Sequence, residues 1–589
     1  MIRPDNPIIV QSDRTIMLHT VTSVTDDSGA PAKDEDGRPL TKEHPRFAEA
    51  RDALAAFAEL EKSPDYLHTY RITPVSIWNA AALGVTSKDI EEILEDLSCV
   101  PVPSGLIAEI EGWVNRYGEL RIERDDTGYI LSSRKQAVME DVLGYKDVAE
   151  LVDVKDDGTV RVGELDRGTL KQILIKLGYP VDDRGGYLTG DALQVDLCEE
   201  TSTGKPFELR PYQREAADAF YANGTVAGGN GVVVLPCGAG KTVTAMAVMS
   251  LIKEKTLILT TNTVAVRQWK QELLDKTDLT EDQVGEYTGQ EKVVRPVTIT
   301  TYQMLTWRRS KEGEFEHFGV FTNENWGLVV YDEVHLLPAP IFRVTADLQA
   351  RRRLGLTATL VREDEKEDEV FCLIGPKRYD VPWKVLEGQG FIAHARCVEV
   401  RVRLAEEVRE KYISADARGK FRVSSENPGK DPVIRHLLEQ HSGDRVLIIG
   451  QYLDQLRRLA EDLGAPLITG KTPTSDREEL YSAFRTGEVE TLIVSKVGNF
   501  AIDLPDANVA IQISGTFGSR QEEAQRMGRI LRPKSDGSMA HFYSVVTLGS
   551  RDQEFSEKRQ LFLTEQGYSY EIIEAQHLGL SGDAAGVTS

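Results

Sequence analysis

A lysine after a glycine-rich turn is the residue of this sequence that most directly suggests phosphate chemistry. The stretch LPCGAGKT, residues 235–242, follows the apolar run GVVV and opens the helical run KTVTAMAVMSLI. Glycines let backbone N–H groups approach a phosphate, and a helix start adds partial positive charge. Lys241 is therefore predicted to reach the β- and γ-phosphates of ATP, and Thr242 to bind Mg²⁺. Leu235 occupies the first glycine position of the generic pattern, which is therefore incomplete. The residues predicted to line the phosphates are Pro236, Cys237, Gly238, Ala239, Gly240, Lys241 and Thr242.

Two adjacent carboxylates end a second apolar run, WGLVVYDEVH, at residues 326–335. Asp332 would hold the Mg²⁺, usually through water, and Glu333 would orient and deprotonate an attacking water. Taken alone, such a pair is more often a solvated strand end. Its position two or three strand units after the phosphate loop favours the catalytic interpretation. The hydroxyls of GLTATL, residues 355–360, would couple this loop to a second domain.

Arginines in QRMGRILRP, residues 525–533, could act on the same phosphates. Arg529 and Arg532 lie three apart on one predicted helical face, and guanidinium groups suit a transferring phosphoryl group. The alternative is a solvated basic face. We predict that a second domain supplies Arg529 and Arg532, together with Gln525, across a cleft.

The side-chain amide of Gln213 could recognise the base of the nucleotide. In ELRPYQREAADAF, residues 208–220, Gln213 can pair with both a donor and an acceptor on the edge of adenine, and Arg210 could stack or cap nearby. An ordinary helix start is the alternative.

The elements that must position these residues alternate in type. Short apolar runs followed by helical stretches recur from Val232 onward, which is typical of buried parallel strands in doubly wound α/β domains. We predict an N-terminal α+β accessory region at 1–200, an ATP-binding domain at 201–392, a second α/β domain at 393–580 and a disordered tail at 581–589. Residues 21–44 are predicted to form a flexible loop, and 404–430 an inserted lobe or a connecting arm. Helices followed by a hairpin, near residues 87–133, resemble a winged helix or a small α+β module.

Bulk composition sets limits on partners and location. The net charge is −24, which opposes long-range attraction to nucleic acid, although a local basic track would suffice. The five cysteines are dispersed and form no CxxC pair, so free thiols in a reducing cytosol are predicted. No apolar run reaches the ~18 residues that a membrane span needs, and the N-terminus predicts no secretory signal.

In chain order these motifs resemble superfamily 2 helicases. LPCGAGKT, YDEVHLLPA, GLTATLVRED, LIGPKRYD, GFIAHARCVEV and QRMGRILRP together resemble the XPB family of DNA-repair and transcription helicases. The whole chain is similar to the bacterial, actinobacterial-type members, except in the 21–44 loop and the tail. The resemblance implies two tandem RecA-like domains, DNA-stimulated ATP hydrolysis and 3′-to-5′ movement.

The resemblance also implies DNA contacts that spacing alone does not show. Arg362, Glu363 and Asp364 match the family's RED motif, which is linked to duplex opening. SKVGNFAID, residues 495–503, matches a motif that touches both DNA and nucleotide, through Ser495 and Asp503, although Ala501 replaces a common glycine there. The thumb lobe of the family would correspond to 404–430. The other implied DNA-contacting residues are Thr261, Asn262, Arg267 and Thr301.

The sequence leaves several functions open. The leading hypothesis is a 3′-to-5′ DNA helicase of nucleotide-excision repair, acting on single-stranded and forked or duplex DNA. A double-stranded DNA translocase would share every ATPase residue. An RNA helicase is disfavoured because the tetrapeptide is Asp-Glu-Val-His, and a P-loop kinase would leave QRMGRILRP unexplained. We expect a monomer in the cytoplasm, associated with the nucleoid, with no membrane association, that works with a partner nuclease or other repair proteins.

Overall fold

The computed structural model describes residues 3–24, 32, 40–62, 67–82, 84–163, 166–183, 190–224, 228–309, 315–322, 324–334, 352–358, 370, 374, 375, 377–495, 507–515, 526–528 and 539–578. The chain divides into two compact units. The first unit comprises Met1–Leu235 with Gly240–Asp380, and the second comprises Pro236–Ala239 with Val381–Ser589.

The first 183 residues form an α+β region within the first unit. Its sheets are a four-stranded antiparallel sheet of order β1-β2-β6-β5, a pair β3-β4, and a five-stranded mixed sheet of order β11-β7-β8-β10-β9. The strands are β1 (Ile8–Val10), β2 (Thr15–His19), β3 (Val21–Ser23), β4 (Thr41–Glu43), β5 (Glu59–Lys62), β6 (Leu67–Arg71), β7 (Leu120–Asp125), β8 (Gly128–Ser133), β9 (Val152–Val154), β10 (Val160–Val162) and β11 (Val181–Asp183). The helices are α1 (Phe47–Ala55), α2 (Pro74–Ala82), α3 (Ser87–Leu97), α4 (Ser104–Arg116), α5 (Gln136–Leu143), α6 (Lys146–Ala149) and α7 (Arg167–Lys176).

Two sequence interpretations change in this region. The predicted flexible loop at 21–44 is wrong at both ends, because β3 and β4 pair there in antiparallel register, with Val21 opposite Glu43. The central residues of that loop lie almost entirely outside the described part of the chain. The hairpin β7–β8 is not an isolated wing, because β10 pairs with β8 and β11 pairs with β7, so the hairpin is part of the five-stranded sheet. The α+β interpretation therefore describes this region better than a winged helix does.

A seven-stranded parallel sheet forms the rest of the first unit, with strand order β14-β15-β13-β16-β17-β12-β18. Its strands are β12 (Asn230–Val234), β13 (Thr256–Thr260), β14 (Val284–Tyr287), β15 (Val297–Thr301), β16 (Leu328–Asp332), β17 (Arg352–Thr357) and β18 (Lys377–Asp380). Its helices are α8 (Pro211–Tyr221), α9 (Lys241–Ile252), α10 (Thr263–Lys276), α11 (Tyr302–Leu305) and α12 (Phe318–Thr322), with a 3₁₀ turn at Ala222–Gly224.

The central strands of this sheet are buried at nearly every residue. In β13 all five residues are buried, and in β16 the first four are. Helices on both faces exclude water, so neither face can carry alternating polar residues. This burial explains why continuous apolar runs in the sequence identify these strands.

A second seven-stranded parallel sheet, of order β21-β22-β20-β23-β24-β19-β25, forms the second unit. Its strands are β19 (Ala395–Val402), β20 (Val446–Gly450), β21 (Leu467–Ile468), β22 (Thr491–Ser495), β23 (Val509–Gln512), β24 (Ala540–Thr547) and β25 (Tyr570–Glu574). Its helices are α13 (Trp383–Gly388), α14 (Glu406–Ser414), α15 (Ala417–Ser425), α16 (Lys430–Gln440), α17 (Leu453–Leu463), α18 (Thr474–Thr486) and α19 (Arg551–Glu565), with a 3₁₀ turn at Ala575–Leu578. The two parallel sheets after an N-terminal α+β region confirm the predicted fold class.

The charged stretch at 404–430 forms two short helices, α14 and α15, followed by the start of α16. Strand β19 precedes these helices and belongs to the same sheet as β20 and β24. Asn427, just after α15, donates from Nδ2 to the Arg403 carbonyl at 2.9 Å and to Thr547 Oγ1 at 3.1 Å. The helices are therefore an insertion within the second unit and do not connect the two sheets.

No helix in the described part of the chain is both long enough and apolar enough to cross a bilayer. The described cysteines carry free thiols, and they are Cys99, Cys198, Cys237 and Cys397.

Candidate active site

The phosphate loop follows β12 at the carboxyl edge of the first sheet. Gly238 and Gly240 have φ values of 79° and 82°, in the left-handed region that favours glycine. A Cβ on Gly240 would lie 2.4 Å from Nε2 of Gln213, so a larger residue there would have to displace that side-chain amide. The N–H of Ala239 donates to the Pro236 carbonyl at 3.1 Å, which closes the turn. The loop thus has the backbone geometry that a phosphate cradle needs.

Lys241 opens α9 and lies beside the carboxylate pair. Its Nζ is 3.0 Å from Glu333 Oε1, and the two side chains are 12% and 25% exposed. These residues are 92 positions apart in sequence and meet because β12 and β16 end at the same edge of the sheet, separated by β17. The structure therefore brings together the phosphate-binding lysine and the base that the sequence assigned to one reaction.

Asp332 is held by two residues that the sequence did not connect with it. Trp269 on α10 donates from Nε1 to Asp332 Oδ2 at 2.9 Å, and the buried Tyr302 donates from its hydroxyl to the Asp332 carbonyl at 2.7 Å. Trp269 lies two residues after Arg267, and Tyr302 directly follows Thr301, so both lie in segments that carry predicted DNA contacts. The same segments that were predicted to touch DNA thus also fix the carboxylate loop. The hydrogen bond from Trp269 to Asp332 joins residues 63 positions apart in sequence, so it can be recognised only from the folded structure.

Thr242 and Asp332 are the residues that could hold a Mg²⁺ ion. Burial, reinforced by the neighbouring charge of Glu333, raises the pKa of Asp332 to about 6, despite its hydrogen bond from Trp269 and the charge of Lys241. A buried carboxylate whose pKa is raised in this way, at the same sheet edge as the start of α9, which carries the Thr242 hydroxyl in its first turn, fits a hard cation with oxygen ligands. In the described residues no group of three or more His, Cys, Asp or Glu side chains could bind a metal alone. Phosphate oxygens and water would have to complete the shell, as is usual for Mg²⁺.

Gln213 and Arg210 lie at the start of α8, which packs against α9. Gln213 is buried, and its Oε1 accepts the N–H of Arg210 at 3.0 Å. Arg210 donates from Nη1 to the hydroxyl of Tyr212 at 3.1 Å. The side-chain oxygen of Gln213, which is predicted to bind adenine, is thus already bonded to the N–H of Arg210 at the start of the same helix. This hydrogen bond fixes the orientation of the amide.

Among the described residues of the first unit that were predicted to contact DNA, Thr261 and Asn262 follow β13, Arg267 lies on α10, and Thr301 ends β15. Asn262 caps α10 by accepting the N–H groups of Val264 and Ala265, and its Nδ2 donates to Thr261 Oγ1 at 2.9 Å. Arg267 donates to Gln290 Oε1 at 3.0 Å. Thr301 is buried and accepts the N–H of Met304 at 3.4 Å, so its hydroxyl caps α11.

The remaining predicted site residues belong to the second unit, end β17, or lie outside the described residues. Ser495 is buried at the end of β22 in the second unit. Of the stretch 525–533, the structure describes Arg526, Met527 and Gly528, and Arg526 donates to Gln512 Oε1 inside the second unit. Thr357 ends β17, where its carbonyl accepts the N–H of Leu235 at 3.0 Å. The residues outside the described part are Arg362, Glu363, Asp364, Asp503, Gln525, Arg529 and Arg532.

Known proteins resemble this chain along its whole length. A protein of Kineococcus radiotolerans described as DNA 3′–5′ helicase XPB is 50% identical over 586 residues, which cover 99% of each chain. The chain belongs to the XPB family of DNA 3′–5′ helicases. A Mycobacterium tuberculosis protein of the same description is 50% identical over 576 residues, or 98% of this chain and 99% of the relative. A Schizosaccharomyces pombe protein, described as the XPB helicase/translocase subunit of general transcription and DNA repair factor IIH, is 31% identical over 91% of this chain and 75% of the relative.

Family models match three segments of this XPB-family chain. The ERCC3/RAD25/XPB C-terminal helicase model matches 386–583, and a model described as type III restriction enzyme, res subunit, matches 206–362. A third model, described as helicase conserved C-terminal domain, matches 34–155, a segment whose described strand pairs are antiparallel. The resemblance predicted from the motifs is confirmed, and the chain is an ATP-dependent enzyme of this family.

Replacing Trp269 with Phe is expected to raise the Mg²⁺ concentration for half-maximal ATPase activity about tenfold, because partners that orient a metal-ligating carboxylate typically contribute that much. The ring volume is nearly kept, and the bond to Asp332 Oδ2 is lost. Activity titrated with Mg²⁺, together with calorimetric binding of ADP with and without Mg²⁺, measures the effect. Trp326→Phe is the matched control, since the Nε1 of Trp326 donates to the Phe321 carbonyl at 2.8 Å, away from the site. An equal shift in both variants would contradict a specific role for Trp269.

Proposed function

We propose that the chain is an ATP-driven 3′-to-5′ DNA helicase that opens DNA during repair of the nucleotide-excision type. The observation that supports this most is the grouping of Lys241, Asp332 and Glu333 at one sheet edge, with Trp269 and Tyr302 linking that edge to the DNA-contact segments. The segments that would contact DNA thus also carry the residues that touch the carboxylate loop, Trp269 and Tyr302. DNA binding can therefore bias the position of Asp332 and stimulate hydrolysis.

The site residues support a sequence of local changes. ATP would place its phosphates on the loop after β12, and Lys241 would leave Glu333 for the phosphate oxygens, because the phosphates carry more negative charge. Freed of this ion pair, Glu333 would orient and deprotonate the attacking water. A Mg²⁺ ion held by Thr242 and Asp332 would neutralise charge on the β- and γ-phosphates.

The second unit would complete the ATP site. Arg529 and Arg532, with Gln525, would stabilise charge on the transferring phosphoryl group, and Asp503 would contact the nucleotide. We propose the division into an accessory region at 1–200, RecA-like domains at 201–392 and 393–580, a thumb element at 404–430 and a tail at 581–589. Closure of the two domains on ATP would move Thr261, Asn262, Arg267, Thr301 and Ser495 along the strand.

Cellular context is part of the proposal. A monomer in the cytoplasm, associated with the nucleoid, would act on forked DNA with a partner nuclease or other repair proteins. The motifs identify no such partner, so co-purification after cross-linking is the direct test.

Arg362→Ala is expected to lower the rate of fork unwinding about tenfold or more while the DNA-stimulated ATPase rate stays within about twofold. A residue that acts only in duplex opening contributes to the barrier of that step and not to the barrier of ATP hydrolysis. Arg362 begins the RED stretch and stands beyond the carboxylate loop in sequence. Unwinding of a fluorescent fork and ATP turnover are measured on the same preparation. Arg295→Ala is the control, since Arg295 is an exposed arginine of the same unit that lies just before β15 begins, at the sheet edge opposite the predicted DNA contacts. Equal loss of both activities would move Arg362 into the ATPase machinery.

A double-stranded DNA translocase is the second candidate, favoured by the helicase/translocase description of the S. pombe relative. Both candidates need the same ATPase site. Strand separation and triplex displacement on one preparation distinguish them, since a translocase displaces the third strand without separating the duplex.

The test of the proposed function compares ATP turnover with single-stranded DNA, duplex DNA, forked DNA and RNA. We expect stimulation by DNA forms and little by RNA. Failure of every DNA form to stimulate turnover would overturn the proposal.

A further inference from the structure

An exposed tryptophan lies at the carboxyl edge of the first sheet, beyond the residues assigned to ATP. Trp307 is 44% exposed, although an indole ring usually buries most of its surface. It follows α11 closely, and α11 begins directly after β15 ends at Thr301. Because β13 and β15 are parallel neighbours, their carboxyl ends lie at the same edge of the sheet. The exposed Gln303 and Trp307 therefore follow β15 at the edge where the Thr261–Asn262 turn follows β13.

Trp307 packs beside His317, which in turn packs on Tyr287. The rings of Trp307 and His317 have centroids 5.5 Å apart and an interplanar angle of 33°. His317 meets the buried Tyr287 edge-on at 5.7 Å, and its Nδ1 lies 3.2 Å from the Tyr287 hydroxyl. Tyr287 ends β14, so the chain of rings is anchored on the sheet. We name Trp307, His317 and Tyr287 the aromatic platform.

The backbone also fixes the platform. The N–H of Glu316 donates to the Trp307 carbonyl at 3.3 Å, which holds the two backbone segments together beside the tilted pair of rings. One face of the indole therefore packs on His317, and the side chain keeps a substantial exposed surface. An exposed tryptophan without a function is the alternative, and such a residue would not require these packing and backbone contacts.

Two arginines, Arg308 and Arg309, directly follow Trp307 in a chain whose net charge is −24. The guanidinium carbon of Arg308 lies 5.5 Å from the centre of the Phe315 ring. Arg309 is 81% exposed and pairs with Glu316 at 2.6 Å. An exposed ion pair of this kind contributes little stability, so a phosphate can replace the carboxylate. Arg267, which donates to Gln290 just beyond β14, adds positive charge at the same edge.

An aromatic face beside exposed guanidinium groups is the arrangement that binds single-stranded nucleic acid without reading its sequence. Bases stack on the ring, and the cations hold the adjoining phosphates. Duplex DNA offers no unstacked base to such a ring. The chemistry of the platform therefore selects an opened strand.

We propose that Trp307 stacks on a base of single-stranded DNA while Arg308 and Arg309 hold the flanking phosphates. The platform would grip the strand after it leaves the residues near Thr261 and Gln303. The inference rests on the proposed DNA-helicase function and adds to it a contact that retains the strand.

The test measures equilibrium binding of the full-length chain, without nucleotide, to two fluorescent probes: a dT oligonucleotide and an oligonucleotide of the same length made of abasic units. W307A is expected to weaken binding to dT about tenfold, or about 1.4 kcal/mol, within the range for loss of one base–aromatic stack. The same variant should change binding to the abasic probe less than about twofold, because no base remains to stack. Trp307→Phe should restore most of the dT affinity.

Two controls separate stacking from charge and from folding. Arg308→Ala should weaken binding to both probes by a similar factor, since both carry phosphates. Leu251→Ala removes an exposed apolar side chain at the other end of α9, remote from the phosphate loop, and should leave both affinities unchanged. Thermal unfolding of each variant confirms that it folds.

Each outcome decides the proposal. An equal loss on both probes in W307A would show that the ring acts through structure, and no loss on either would leave the platform as a surface for another protein. Both results overturn the base-stacking role while a DNA-stimulated ATPase still supports the helicase function. A wild-type chain that binds neither probe and shows no DNA-stimulated turnover would overturn both.

Discussion

Alanine in place of Lys241 should lower the DNA-stimulated rate of ATP hydrolysis at least about a hundredfold, the usual effect of removing one preorganised group that stabilises transition-state charge. Lys241 is the first residue of α9, and its ammonium lies 3.0 Å from Glu333 Oε1. Its removal leaves the phosphate oxygens without that cation. It also leaves Glu333 with one less positive neighbour, which disfavours the ionised base.

Two further variants make this result specific. Lys253→Ala removes a lysine at the other end of α9, which pairs with Asp196 at 2.7 Å, and should leave turnover unchanged. Lys241→Arg keeps the charge, but a planar guanidinium cannot replace a compact ammonium among phosphates, so turnover should still be lost. Steady-state ATPase at saturating DNA and binding of a fluorescent ATP analogue are the measurements. Retained turnover in Lys241→Ala would refute the assignment of the phosphate loop.

The strands that the sequence revealed share one physical property. Strands β12, β13, β16, β20 and β22 are buried on both faces, and each contains a continuous run of three or more apolar residues. Strand β19 is interior too, but its sequence ARCVEVRV gave no such run. Its Glu399 is 1% exposed and is stabilised by Gln560 at 2.6 Å and Arg401 at 2.6 Å. Arg401 is two residues away, but Gln560 is 161 residues away, and local hydrophobicity cannot reveal that such a distant partner stabilises a buried carboxylate.

The site shows the same division between local and long-range information. Lys241, Asp332 and Glu333 could be assigned in advance because each belongs to a short pattern with its own chemistry. The bond from Trp269 to Asp332 could not, since it depends on β13 and β16 being neighbours in the sheet. Strand order is a property of the whole domain, and one sequence with no structure does not determine it. The RED residues and the arginines at 529 and 532 remain predictions.

The backbone conformation of Glu333 could not be predicted from the sequence either. Its φ is 51°, in a region that costs a residue other than glycine about 1–2 kcal/mol. The hydrogen bond from Tyr302 to the adjacent Asp332 carbonyl helps to hold this turn. Strain maintained by surrounding contacts is common where a side chain must be aimed at a reacting atom. The conformation directs the Glu333 carboxylate toward Lys241 and the phosphate loop.

Glu333→Gln is expected to slow ATP hydrolysis about 10²- to 10⁴-fold, the contribution of a general base, while ATP affinity stays equal or increases. The amide keeps the size of the side chain and its place in the strained turn, but it cannot accept a proton from water. Loss of the ion pair leaves Lys241 more available to the phosphates, which is why binding should not weaken. Single-turnover hydrolysis and direct ATP binding separate the two effects.

Glu272→Gln is the matched control, because Glu272 pairs with Lys276 at 2.7 Å on the same unit, away from the phosphate loop. This variant should hydrolyse ATP at the wild-type rate. If Glu333→Gln did so too, another group would have to be the base, and Asp332 would be the nearest carboxylate to test. If it lost ATP binding together with hydrolysis, the role of Glu333 would be to hold Lys241 in place. Slow hydrolysis with intact binding distinguishes the base from both alternatives, and the trapped ATP-bound enzyme should then hold DNA without moving along it.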